Sequence, residues 1–231
     1  MTPREFVSKT RSQLNPILDR SGWLLYSSFS TLKKGDFYTL GLNPGGGTED
    51  TQTIRQCVDQ LHEQKKNDYL EDDWGKGYST DGKPNHPLQR HYRELFDLLN
   101  VDVRSVCASN LIFTRSRDQG GSGYPQIADL CWPVHQMIID IVDPSILLVF
   151  GNSLSSPSPY RYLFDLHKSQ RGVEPKEECV ASGHGKWSCR SFVFDLQGRP
   201  RIVIGIPHLS RYSISGKKEA SAWIKKKAMP R

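Results

Sequence analysis

Residues 145–151 read SILLVFG, an unbroken apolar run from Ile146 to Phe150 closed by a glycine. A strand with one face in water alternates apolar and polar residues. An unbroken run of this length is what a parallel strand covered on both faces looks like. Asp143-Pro144 stands just before it and ends the helix predicted over 125–142, because a proline pushes its predecessor out of the helical region. A helix, a stop and a buried strand form the repeating unit of a parallel α/β sheet.

Working outward, the same alternation recurs. Residues 36–42 (DFYTLGL) predict a strand that runs into a Gly-rich turn, and 48–66 a helix leaving that turn. Strands are predicted over 106–113, 191–196 and 202–206, the last two joined by Gln197-Gly198-Arg199-Pro200. Helices are predicted over 3–20 with a break near Pro16, over 88–99, 160–167 and 215–227. In the second of these Leu88, Tyr92, Leu95 and Leu99 share one face. Residues 67–87 and 168–188 read as polar loops, and 152–159 as a Ser/Pro-rich turn. The expected fold class is α/β: a three-layer α/β/α sandwich around a central, mostly parallel sheet of about four to five strands. One domain is expected over 1–231, with an N-terminal helical extension and an inserted loop at about 67–87.

Composition narrows the partners. Nine Phe, nine Tyr and five Trp can anchor a core, which a disordered chain of this length lacks. No run approaches the roughly 18 apolar residues of a membrane helix. The start, MTPREFVSKTRSQ, carries charge with no apolar run behind it, so no secretory leader is expected. The five cysteines, at 57, 107, 131, 179 and 189, include no C-x-x-C pair. Cys179 and Cys189 flank His184 without the usual ligand spacing, so reduced thiols in the cytoplasm and no metal are expected. The net charge of +6 permits a nucleic-acid partner without requiring one. Lys225-Lys226-Lys227 closes the last helix, where positive charge suits the dipole.

Three segments can carry chemistry. Gly41-Leu42-Asn43-Pro44-Gly45-Gly46-Gly47 follows a strand directly. It is neither a P-loop nor G-x-G-x-x-G, so it is either a tight turn or a place where backbone approaches a ligand. Pro207-His208-Leu209-Ser210-Arg211-Tyr212-Ser213 also follows a strand, and strand ends are where open α/β sheets bind ligands. Parallel strands bring both segments to one edge. In Val106-Cys107-Ala108-Ser109-Asn110-Leu111-Ile112-Phe113 a lone amide sits inside an apolar strand. It either bonds neighbouring backbone or reads the edge of a base.

These segments together resemble the uracil-DNA glycosylase superfamily. Gly41-Leu42-Asn43-Pro44-Gly45 is similar to its first active-site motif, closest to the G-[IM]-N-P-G forms of the mismatch-specific and single-strand-selective branches. Pro207-His208-Leu209-Ser210 resembles the second motif, H-P-S, with Leu209 in place of the proline. Asn110 matches the asparagine that reads the pyrimidine, and 145–151 the superfamily's apolar strand. The resemblance covers roughly 36–227.

The resemblance implies a monofunctional DNA glycosylase acting as a cytoplasmic monomer without a cofactor. It would flip out a base and hydrolyse its N-glycosidic bond, leaving an abasic site. Asn43 would orient the water, and His208 would donate to the pyrimidine O2. Gly41, Leu42, Gly45, Gly46 and Asn110 would line the base pocket, with Tyr78 or Trp74 stacking on the base. Ser210 would grip phosphate, Tyr212 would wedge into the vacated stack with Arg211 beside it, and Ser213 would complete the DNA-contacting stretch. Glycines at 45–47 replace the bulky wall of the strict uracil branch. The expected substrate is therefore uracil or a 5-modified pyrimidine, extending to the hypermodified cytosines of phage DNA and hence to antiphage defence. Two other readings stay open: a non-catalytic DNA- or base-binding module on this fold, and an unrelated nucleotide-binding enzyme using the glycines for phosphate.

Overall fold

The computed structural model describes residues 1–47, 51–196 and 198–229. The chain runs α1 (Pro3–Gln13), β1 (Phe37–Gly41), α2 (Ile54–Asp59), α3 (Asp68–Glu71), α4 (Pro87–Leu99) and β2 (Cys107–Asn110). It continues through α5 (Gln126–Val142), β3 (Ile146–Phe150), α6 (Pro159–Arg171), β4 (Glu178–Ala181), β5 (Ser188–Leu196), β6 (Arg199–Ile206) and α7 (Lys218–Ala228).

Local chemistry sets these limits. Thr2 and Glu5 exchange side-chain-to-backbone hydrogen bonds across the start of α1, with Pro3 in the first turn. Asp143 ends α5 in the left-handed region at φ 50°, and Pro144 prevents continuation. Ser158 caps α6 through Arg161 N–H at 3.0 Å, and Gly172 closes it at φ +70°.

Among the described residues the sheet has six strands, in the order β2-β1-β3-β6-β5-β4. The first four are parallel, and β5 and β4 add an antiparallel pair at one side. The apolar run of β3 is covered on both faces. Leu147 and Val149 join the core beneath α1, α5 and α6, while Ile146, Leu148 and Phe150 join the core beneath α4 and α7. Each of these side chains is at most 1% exposed, and burying one of this size stabilises the fold by roughly 1.5–3 kcal/mol. His135 of α5 closes a buried chain in the first core: its Nε2–H donates to the Leu111 carbonyl at 2.9 Å, and Nδ1 accepts from Tyr38 Oη at 2.7 Å. No helix among the described residues is long and apolar enough to cross a membrane.

The expectation of four to five strands is corrected to six. The missing strand, β4, lies within 168–188, which reads as polar loop. It is an edge strand whose residues are mostly exposed, so no apolar alternation marks it. Smaller corrections follow. The helix expected over 48–66 is α2 plus a 3₁₀ turn at Leu61–Glu63, and residues 48–50 lie outside the described residues. Of the strand expected over 106–113, Cys107–Asn110 forms β2. The loop 67–87 contains α3 and an isolated bridge between Tyr78 and Pro84.

One long-range feature is absent from the sequence pattern. The segment after α1 lies antiparallel along the outer side of β2, with bridges Leu25 to Ser109 and Gly22 to Thr114. Tyr26 N–H donates to the Ala108 carbonyl and Trp23 N–H to the Phe113 carbonyl, both at 2.9 Å. The β2 edge of the sheet is thereby covered, and Trp23 and Tyr26 are carried to the carboxyl end of the strands.

Candidate nucleic-acid site at the carboxyl edge of the sheet

The parallel strands end at Gly41, Asn110, Phe150 and Ile206 on one edge. Because β5 is antiparallel, it starts at that same edge, where Arg190 pairs with Gly205. The loops leaving these ends enclose an open cleft of about 1300 Å³. Asn43, Asn110 and His208, far apart in sequence, all line it.

The parallel pairing of β1 and β2 continues past the strands, through Leu111 N–H to the Gly41 carbonyl, Ile112 N–H to Leu42 and Ser116 N–H to Pro44. This lacing holds the Asn43 amide. Its Nδ2 donates to the Pro44 carbonyl at 2.7 Å and to Ser116 Oγ at 2.9 Å. With the donor end committed to protein, the amide presents its carbonyl oxygen to a ligand, and such an acceptor can orient a water but barely deprotonate it.

Gly41 has a packing reason to be glycine. A Cβ there would collide with Asn110 Oδ1 and lie 2.8 Å from Phe150 Cε2. Asn110, 6% exposed, therefore presses its side-chain carbonyl onto the neighbouring strand. Leu42 is buried and lines the cleft floor. Gly45 and Gly46 differ: among the described residues a Cβ on Gly45 meets nothing within 4 Å, whereas one on Gly46 meets the Arg115 side chain at 3.4 Å. Arg115 Nη1 donates to the Gly45 carbonyl at 2.6 Å and so closes the loop on that side.

His208 is held by its own loop. The Ser210 N–H donates to His208 Nδ1 at 3.2 Å, and Ser210 Oγ lies 2.8 Å from the same nitrogen. A ring nitrogen that accepts carries no proton, so the proton sits on Nε2. Burial, with Arg211 and His86 adding to it, lowers the pKa of His208 to about 4, so a neutral Nε2–H donor is what the cleft contains at pH 7. Leu209, where the resemblance has proline, fixes the loop in another way. It is fully buried in the second core, and its carbonyl accepts from His91 Nδ1 at 2.6 Å.

Of the other sequence candidates, Ser210, Arg211 and Trp74 line the cleft. Trp74 packs edge-on against Tyr26 and Tyr69 with ring centres 5.9 and 5.4 Å away, and donates to Asp72. Tyr78 is half-exposed, does not line the cleft and donates to the Glu71 carbonyl. Ser213 does not line it either and donates to Glu94 at 2.6 Å. Tyr212 is corrected from a rim residue to a core residue. It is 0% exposed, and its hydroxyl donates to the Ser182 carbonyl at 3.0 Å and touches Cys189 Sγ. A side chain so placed supports the β4–β5 turn and does not reach a duplex.

Several cleft residues carry no local signal in the sequence. Trp23 and Tyr26 arrive with the strand-like N-terminal segment, and Phe150 sits edge-on to His208 at 6.0 Å. Asp68, with Trp23 Nε1 and Gln64 Nε2 donating to it, is buried in the wall. Burial, reinforced by Asp72, pushes its carboxyl up to about 7. Lys186, Trp187 and Arg190 come from the β4–β5 hairpin, whose existence the polar reading missed. No protein-family model matches the chain, and no curated protein matches it.

Proposed function

We propose that the protein is a monofunctional DNA glycosylase that extrudes uracil or a 5-modified pyrimidine and hydrolyses its N-glycosidic bond. The observation carrying this reading is the pairing, in one cleft, of an asparagine acceptor at the end of β1 with a neutral histidine donor after β6. Bond cleavage builds negative charge on the departing base and positive charge on the sugar. His208 Nε2–H stabilises the first by donating to the base O2, and donors preorganised in this way are typically worth about 10²–10³ in kcat. Asn43 Oδ1 holds the water that attacks the sugar, and Asn110 offers its amide to the pyrimidine edge.

The open side of Gly45 supports acceptance of a C5 substituent, because among the described residues no side chain stands within 4 Å of where its Cβ would be. For a hydroxylated substituent, as on a hypermodified phage cytosine, the cleft also offers Asp72 and Asp73 as acceptors and Trp74 as a ring surface. A base of that kind makes antiphage defence the biological role. Extrusion costs a few kcal/mol, which phosphate contacts from Ser210 and Arg211 offset.

The test is abasic-site formation on end-labelled oligonucleotides followed by alkaline cleavage. Uracil, mismatched thymine, 5-hydroxymethylcytosine and its glucosylated form are each presented in single and double strands. Cleavage that Asn43→Ala and His208→Ala both abolish is the expected result. Binding without cleavage of any of these bases would replace the enzyme with a base-reading module.

A further inference from the structure

The β4–β5 hairpin adds a surface to the cleft that neither active-site motif contains. Its turn is rigidly built. Ser182 N–H donates to the Trp187 carbonyl at 2.9 Å and Trp187 N–H to the His184 carbonyl at 3.1 Å, with Gly183 and Gly185 in the left-handed region. Two outside contacts fix it to the catalytic edge. Tyr212, four residues after His208, donates to the Ser182 carbonyl. Asn152, from the loop after β3, donates through Nδ2 to the carbonyls of Ser188 at 2.6 Å and Gly205 at 3.0 Å.

This fixed turn presents an indole to water. Trp187 is 40% exposed and packs on the exposed His184 ring, with centres 4.7 Å apart and planes 30° apart. Among the described residues, it is the one largely exposed big apolar side chain that also lines the cleft. The exposed Lys186 precedes it in the turn, and Arg211 lines the same cleft, so the surface that carries the ring also carries positive charge. An exposed aromatic ring in a groove that carries positive charge is the arrangement by which proteins hold unstacked nucleobases.

We propose that Trp187 is a nucleobase-stacking residue: its indole stacks on a DNA base beside the flipped nucleotide, with Lys186 meeting the adjoining phosphate. This rests on the DNA reading given above. It assigns the stacking contact to the hairpin, since Tyr212 is buried beneath it.

The experiment titrates the full-length protein and its Trp187→Ala and Trp187→Phe variants with a short duplex carrying a tetrahydrofuran abasic analogue. Affinity is read by anisotropy of a labelled duplex, and tryptophan emission is followed with an unlabelled one. Trp187→Ala is expected to bind about tenfold more weakly with an unchanged salt dependence, because no phosphate contact is lost. Trp187→Phe keeps a ring and most of the affinity but loses most of the DNA-induced quenching of tryptophan emission. Since Phe preserves packing on His184, this second variant reads stacking even if Ala disturbs the turn. Affinity of Trp187→Ala within twofold of wild type, or full quenching in Trp187→Phe, would overturn the stacking role while leaving an active glycosylase untouched. A wild-type protein that neither binds DNA nor releases a base would remove both readings together.

Discussion

Asn43 Nδ2 donates to Ser116 Oγ at 2.9 Å, and Ser116 in turn donates its only hydroxyl proton to the Asp118 carbonyl at 2.6 Å. The serine is thereby locked as an acceptor toward the asparagine, which fixes the direction of the amide. In the proposed glycosylase Ser116 is thus a positioning residue for Asn43. Ser116→Ala is expected to lower single-turnover excision by about tenfold, a loss of roughly 1.4 kcal/mol of orientation, with DNA affinity unchanged. Separate measurement of the chemical rate and of the Kd checks this. An equal loss in both would make Ser116 a mere packing residue.

Gly41 and Gly45 belong to the same motif but answer to different physics. At Gly41 an added methyl meets the Asn110 amide and the Phe150 ring, both buried. Gly41→Ala is expected to destabilise the fold by about 1–3 kcal/mol and to displace Asn110 from its position on β2. At Gly45 the same methyl meets none of the described residues within 4 Å, so Gly45→Ala is expected to stay within about 0.5 kcal/mol of wild type. Gly45→Phe fills that space and should narrow excision toward plain uracil. Thermal melts and a substrate panel separate the two positions. Equal destabilisation at both would contradict the packing difference.

The contrast between these glycines also shows what a sequence carries. The apolar run Ile146–Phe150 is readable because a strand buried on both faces has no polar residue to interrupt it. The convergence of Asn43, Asn110 and His208 is readable because each follows or ends a strand, and parallel strands finish together. Trp23 and Tyr26 are not readable, since they reach the cleft through bridges to a strand some eighty residues away. Nor is β4, whose mostly exposed residues look like any polar loop. A tyrosine in a loop suits core and rim equally well, so Tyr212 gives no local sign that its hydroxyl is taken by Ser182.

The protonation of His208 yields a pH profile. Its pKa in the fold is lowered to about 4 by burial first and by the nearby cations second. Above that pH the imidazole is neutral and donates from Nε2. Single-turnover excision is therefore expected to show no break from His208 between about pH 5.5 and 8 and to change only near pH 4. A rate that falls on alkalinisation through pH 6–7 and loses that break in His208→Asn would instead identify an imidazolium donor. The same shift acts on folding. The unfolded chain binds this proton from about pH 6.5 downward and the folded chain only near 4, so His208 costs stability as pH falls through that window.

Asp68 titrates in the opposite sense. Its carboxyl is 6% exposed and is pushed up to about 7, by burial first and by Asp72 second, against an ordinary value of 3.8. Between those values the folded chain holds a proton that the unfolded chain releases. Stability contributed by this group is therefore full below about pH 3.8 and lost as pH rises to 7. Asp68→Asn carries no charge and keeps one acceptor for the donors Trp23 and Gln64, so it sacrifices one hydrogen bond, worth about 1 kcal/mol. A shift of this size corresponds to about 4 kcal/mol at most, which leaves a net gain of about 1–3 kcal/mol for the variant at pH 8. The gain should shrink steadily on acidification and reverse sign near pH 4, where only the lost hydrogen bond remains. Urea denaturation of both proteins across that range measures it. A difference that does not vary with pH would mean that the Asp68 carboxylate is already ionised near its ordinary value, solvated through the cleft.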